Sequence, residues 1–273
     1  MPLLDRILFP RPRLSDARLR RAVGGRTVLL TGASFGIGEA LALLLGRAGA
    51  ALILVARTAD KLDAVCDAVV AAGGQAMAVA CDLTDPAAVE ALIAALPPVD
   101  ILVSNAGKSI RRGFWASTGR PQDVGRTIAL NYTAPARLVS ALGPGLRDRG
   151  GQVVSVAAAN LLLPPPPGWA AYQASKAAFD QWLRAVRPEL VAAGVAAGTA
   201  YLPLVRTRMI APTAAYDRVP AMTPDHAARV IARLLVTRRA YWRPWWLFGA
   251  AAASAAIRPL WERVSVAWAK RHG

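Results

Sequence analysis

From Thr27 onward, short aliphatic and β-branched runs (TVLLT, ALILVA, QAMAVA, VDILVS) alternate with alanine- and leucine-rich stretches of helical patterning. Continuous apolar runs this short suit strands buried on both faces, and helices between them suit crossover connections. The pattern predicts an α/β domain with a doubly wound parallel sheet. Helices are expected at 37–48, 58–72, 85–95, across a long region near 120–149, near 170–193 and near 223–236, with further strands at 150–157 and 195–201. No linker interrupts 27–237, so one domain is expected there, between a basic extension over 1–26 and a Trp/Arg-rich extension over 238–273. Four consecutive prolines, Pro164 to Pro167, predict a rigid extended loop before the helix near 170.

With 55% hydrophobic and 18% charged residues the chain can fill such a core, which excludes a disordered or fibrous polymer. Its net charge of +16 is concentrated at the ends: +5 lies in 1–26, +6 in 238–273, and the remaining +5 across all of 27–237. A central domain without a basic stripe and stacking aromatics gives no reason to expect a nucleic-acid partner. Basic ends beside apolar residues suit an anionic membrane surface. A coding bias explains why 29 of the 33 basic residues are arginine, but not their clustering. Cys66 and Cys81 have neither metal spacing nor a disulfide framework, and residues 1–26, broken by Pro10 and Pro12, lack the apolar core of a secretory signal. The expected location is the cytoplasm. His226 and His272 stand apart from any Cys/His/Asp cluster, so no metal site is expected.

Three motifs carry chemistry. Thr31-Gly-Ala-Ser-Phe-Gly-Ile-Gly38 sits between the first strand and the first helix, where glycines let a pyrophosphate approach the helix N-terminus. Such a pattern alone is equally a tight turn; its strand-loop-helix setting favours the phosphate reading. The second strand ends Val55-Ala56-Arg57-Thr58, with no acid for an adenine ribose, and Arg57 can instead pair with a 2′-phosphate. NADP(H) is therefore expected over NAD(H). Tyr172 and Lys176 lie four residues apart on one helix face, an arrangement expected to bring the ammonium near the phenol and lower its pKa towards the range of a general acid/base.

Together with Cys81-Asp-Leu-Thr-Asp85, Asn105-Ala-Gly107, Asn131 and the Pro203-to-Met209 segment, these motifs resemble the short-chain dehydrogenase/reductase superfamily across about residues 25–237. The resemblance implies a Rossmann fold. It further implies that Gly32, Ser34, Gly36, Ile37 and Gly38 hold the dinucleotide, that Asp82 and Leu83 meet the adenine, and that Asn105, Ala106 and Gly107 line the cofactor. Pro203 and Thr207 would meet the nicotinamide end. Tyr172, Lys176 and Asn131 would be catalytic, with Tyr172 and Lys176 also contacting the cofactor, Lys176 through the ribose hydroxyls, and Asn131 holding a relay water. Finer strings, Asn105 to Arg112, Ala129 to Tyr132, and Pro203 to Pro212 with Tyr216, resemble the bacterial fatty acyl-CoA reductase-like branch. That likeness implies NADPH-dependent reduction of long acyl thioesters or related apolar carbonyls. Arg111 and Arg112 are available to a CoA phosphate or a lipid headgroup, or stand as solvated surface. Homo-oligomerisation is implied by the resemblance alone.

One position departs from the family. Its members place a serine at the end of the fifth strand, and counting from either flank puts alanine there, at Ala158 or Ala159. Losing such a donor typically costs about 10²–10³ in rate, so two functions stay open: an active reductase, or a nucleotide-binding relative with weak or no turnover. Asn160 is the nearest alternative donor. Five of the eight tryptophans fall in 240–273, among arginines, and the apolar stretch Pro244 to Ile257 is fourteen residues. That is short of the ~20 residues needed to span a bilayer. The reading is an interfacial helix, a helix packed on the same or a neighbouring subunit, or one that both caps the substrate pocket and touches the membrane.

Overall fold

The structure, a computed structural model, describes residues 3–210, 216 and 218–272. The Ala211-Pro212 end of the Pro203-to-Pro212 string lies outside the described residues, as do Met1, Pro2 and Gly273 at the ends of the two extensions. Seven parallel strands form one sheet in the order β3-β2-β1-β4-β5-β6-β7. They are β1 Thr27–Thr31, β2 Ala51–Ala56, β3 Gln75–Ala80, β4 Ile101–Ser104, β5 Gln152–Ala158, β6 Ala196–Leu202 and β7 Tyr241–Trp242. β1 pairs with β2 on one side and β4 on the other. The chain thus winds outward from β1 first one way and then the other, and this reversal opens a crevice at the strands' carboxyl ends. The doubly wound sheet expected from the alternation is present.

Period-two alternation splits each central strand between two apolar layers. Leu30 and Leu54 join Leu41, Leu62 and Ile231 from helices Ile37–Arg47, Ala59–Ala71 and Pro224–Thr237. Leu29 and Ile53 join Leu92, Leu138 and Phe179 from helices Pro86–Ala95, Ala134–Asp148 and Ala170–Ala192 on the opposite face.

The long helical region near 120–149 is three pieces: Gln122–Ile128, a π-helical turn Ala129–Thr133, and Ala134–Asp148. At five residues the wide turn is too short to show a period of its own, so the sequence pattern does not reveal it; such turns often mark functional sites. Both extensions pack on the sheet domain. Phe9, Leu19 and Val23 are buried in the same layer as Leu41. At the other end, β7 adds to the sheet edge beside β6, and helix Trp245–His272 buries Leu247 against Ala157, Ala159 and Tyr201. At ~1.5 Å per residue that helix extends for roughly 40 Å. Among the described residues no helix is long and apolar enough to cross a membrane.

Candidate active site

The glycine loop joins β1 to helix Ile37–Arg47 at the crevice. Gly32 and Gly36 adopt φ of 68° and 63°, a backbone region unfavourable to residues bearing a Cβ. Close approach adds a second requirement. A Cβ on Gly32 would lie 2.7 Å from Ala106 Cα, one on Gly36 would lie 3.0 Å from Thr207 Cγ2, and one on Gly38 would lie 2.1 Å from the Gly32 carbonyl oxygen. The loop therefore touches both the 105–107 segment and the Thr207 segment. Ser34 and Ile37 are half-buried along it. The Glu39 carboxylate accepts from the Gly36 N–H at 3.2 Å.

Thr31 and Asn105 staple the floor of this cleft. Thr31 Oγ1 accepts from the backbone N–H groups of Asn105 and Ala106, both at 3.1 Å. Asn105 Nδ2 donates in return to the Thr31 and Gly32 carbonyls at 3.1 and 3.0 Å. Arg57 emerges exposed at the end of β2. Asp82 accepts from the Thr84 N–H and hydroxyl at 2.9 and 2.8 Å, and these bonds, helped by the charges of Arg57 and Lys108, hold its carboxyl below the usual range. Leu83 turns into the core, packed in the layer of Val55 and Val89, which leaves its backbone for any ligand contact. Pro203 follows β6 directly, half-buried as Thr207 is.

Helix Ala170–Ala192 carries Tyr172 and Lys176. Lys176 Nζ donates to the Val156 carbonyl of β5 at 3.2 Å, and a Cβ on Gly107 would stand 3.1 Å from that nitrogen. Asn131, buried in the π turn, accepts at Oδ1 from the Lys108 N–H and donates from Nδ2 to the Lys108 carbonyl and Ser175 Oγ, all at 2.9 Å. Ser175 Oγ in turn donates to the Tyr172 carbonyl at 2.9 Å. Asn131, Ser175 and Tyr172 thus form one braced unit. Ser175 is a positioning residue that reasoning from motifs passed over; its place inside Tyr172-Gln-Ala-Ser-Lys176 was the available signal.

The structure reverses the expectation for the tyrosine pKa. Burial raises Tyr172 to about 12, with a further push from Tyr216, and Lys176 falls to about 8 because burial disfavours its charge. The lysine is spent on the Val156 carbonyl, and desolvation outweighs any help it gives the phenolate.

The structure separates the two alanines at the missing-serine position. Ala158 ends β5 and stays half-buried at the cleft, whereas Ala159 is buried beneath Leu247. Ser155, far back in β5, is buried beside Ser104 and Thr199. Asn160 lies in the following 3-10 turn with its Oδ1 buried and without a hydrogen-bond partner. Beyond it, Trp169 meets the Tyr172 ring edge-on at 5.8 Å and stacks on Tyr216 at 6.2 Å. Trp169 and Tyr216 form one wall of a 280 Å³ pocket; Arg111 stands on it, and Trp261, Val264 and Trp268 of helix Trp245–His272 close the other side. Trp261 Nε1 donates to the Pro165 carbonyl at 3.2 Å, fastening the helix to the proline loop. The C-terminal helix thus packs on its own chain and borders this pocket.

The sequence pattern of the short chain dehydrogenase family matches residues 26–217. A fatty acyl-CoA reductase of Mycobacterium tuberculosis is 42% identical over 242 residues, covering 87% of this chain and 81% of its own length. A fatty acyl-CoA reductase of Acinetobacter baylyi is 40% identical over 228 residues, 82% of this chain and 77% of its own. Among solved structures, a short-chain dehydrogenase from Sphingobium yanoikuyae in complex with NADPH aligns with a TM-score of 0.72 at 30% identity, covering 79% of this chain and 86% of that one.

Proposed function

The chain belongs to the short-chain dehydrogenase family, NAD(P)-dependent oxidoreductases, and on that footing we propose that it transfers hydride between NADP(H) and an apolar carbonyl or its alcohol. Long-chain acyl-CoA and fatty aldehyde are the substrate classes we favour. The observation that carries this reading is the aromatic pocket abutting Tyr172, with a cation, Arg111, on its wall. Apolar lining with few polar groups suits an alkyl chain. The two relatives named fatty acyl-CoA reductases support the same class.

The residues present fit a phosphorylated dinucleotide. The bare backbone at Gly36 and Gly38 lets the loop close on Thr207 and on the Gly32 carbonyl, which shapes it for a phosphate at the helix N-terminus, and Arg57 is exposed where a 2′-phosphate would lie. Lys176 would bind ribose hydroxyls, and Asn105 to Gly107 with Thr207 would line the cleft. When bound, the nicotinamide supplies or accepts the hydride. In the reductive direction the carbonyl oxygen needs a proton, and Tyr172, with its pKa near 12, holds one throughout the neutral range. Lys176, with its pKa near 8, is mostly ammonium at neutral pH and so can feed a proton relay. Asn131 acts as a brace through Lys108 and Ser175.

Arg57→Ala tests the cofactor assignment. A charge-assisted contact of about 1.5–3 kcal/mol corresponds to a loss of roughly 10- to 150-fold in kcat/KM for NADPH, with NADH little changed. An unaltered NADPH/NADH ratio would remove Arg57 from the 2′-phosphate site.

The missing serine gives a second test. Ala158→Ser is expected to raise turnover by tenfold or more, towards the ~10²–10³ attributed to one such donor, while Ala159→Ser, beneath Leu247, has no such effect. If instead Ala158→Ser changes nothing and Asn160→Ala lowers turnover, the donor is Asn160.

The exposed Leu4, Ile7, Trp245 and Phe248 beside the basic extensions support a peripheral position on an anionic membrane face. An acyl substrate would arrive from that face.

A further inference from the structure

Away from Tyr172, the two extensions enclose a second concavity. A pocket of 320 Å³ is lined by Arg11, Arg13, Arg233 and Arg243 with Trp242 and Trp245. The Trp245 indole donates to the Ile7 carbonyl at 3.1 Å, and the Arg233 guanidinium donates to the Arg13 carbonyl, so the two ends of the chain build the pocket jointly. Among the described residues none of these four arginines pairs with a carboxylate. Like charges gathered round one concavity repel, and an anion relieves that repulsion. Guanidinium forks match phosphate oxygens best.

The rim narrows the choice of anion. Leu4, Ile7, Trp245 and Phe248 are each more than half exposed, and Arg243 lies over the Phe248 ring at 4.9 Å. A soluble phosphate gains nothing from such a rim. A bilayer surface rewards both parts, because indole and aliphatic groups settle at headgroup depth while cations meet lipid phosphate. We propose that this pocket seats the phosphate of an anionic phospholipid while the four apolar side chains enter the bilayer interface. The proposal rests on the membrane-facing reading of the extensions above and is independent of the reductase chemistry. Helix Trp245–His272 begins at this pocket and continues to Trp261 and Val264 beside the active site, so docking here brings the substrate pocket to the lipid.

The test is sedimentation of the full chain with vesicles of phosphatidylcholine alone or containing phosphatidylglycerol. Point variants serve better than truncation, because Phe9, Leu19 and Val23 of the N-terminal extension are core. The chain is expected to sediment with the anionic vesicles alone. Arg13→Glu combined with Arg243→Glu should weaken partitioning by about tenfold or more, the scale of two cations at an anionic surface. Lys61→Glu with Arg120→Glu, which alters net charge equally, should weaken it far less. Equal losses in the two double variants would mean diffuse charge attraction, overturning the pocket while the membrane reading stands. No sedimentation with either vesicle would overturn both. Thermal stabilisation by inorganic phosphate, lost in the pocket variant and without vesicle binding, would assign the pocket to a soluble anion and overturn the lipid site.

Discussion

Tyr172→Phe is expected to lower kcat by about 10²–10⁴ while changing NADPH affinity far less. The phenylalanine ring keeps the edge contact with Trp169, so packing survives and only the proton donor is lost. Burial holds the Tyr172 pKa near 12, which makes the phenol the resident form at neutral pH and suits it to protonate an oxygen as charge develops there. Steady-state NADPH oxidation gives the rate, and quenching of tryptophan fluorescence by NADPH gives the affinity. A variant that keeps its rate would move the proton donor elsewhere.

Gly38→Ala is expected to weaken NADPH binding strongly. The new methyl group would stand 2.1 Å from the Gly32 carbonyl oxygen and 2.8 Å from Ala33 Cα, both backbone atoms that cannot swing aside. Overpacking of this kind typically costs 1–3 kcal/mol, and if the strain falls on the ligand-ready loop it weakens affinity by roughly 5- to 150-fold. Gly113→Ala is the control, since a Cβ there meets nothing within 4 Å. The pair is compared by NADPH titration and thermal denaturation. Equal affinities in the two variants would show that the loop is not the phosphate cradle.

The parts of the fold visible in the sequence are those set by local period. Strands β1, β2, β4, β5 and β6 appear as short apolar runs because they are buried on both faces, the edge strand β3 appears by its apolar composition although it stays largely exposed, and the crossover helices appear between them. β7, two residues long, is too short to carry any period, and Tyr241 and Trp242 read instead as part of a basic tail. The π turn at Ala129–Thr133 is invisible for a related reason, yet it carries the buried Asn131. The candidate site shows the same division. Gly32, Gly38, Tyr172 and Lys176 are legible because spacing fixes their relation, whereas the partners of Lys176 and Asn131 depend on which strand and loop lie opposite. Desolvation, which decides the Tyr172 and Lys176 pKa values, is a property of packing and not of spacing. The pocket is the extreme case: Trp169, Tyr216 and Trp261 come from three distant segments, and no local pattern joins them.

The most direct test of the central claim is NADPH oxidation by the purified full chain offered long-chain acyl-CoA, fatty aldehyde and a short water-soluble aldehyde in parallel. The account predicts saturable turnover on a long-chain substrate, better than on the short one, because the aromatic pocket beside Tyr172 rewards an alkyl chain. Saturable NADPH binding with no oxidation on any of the three would contradict it.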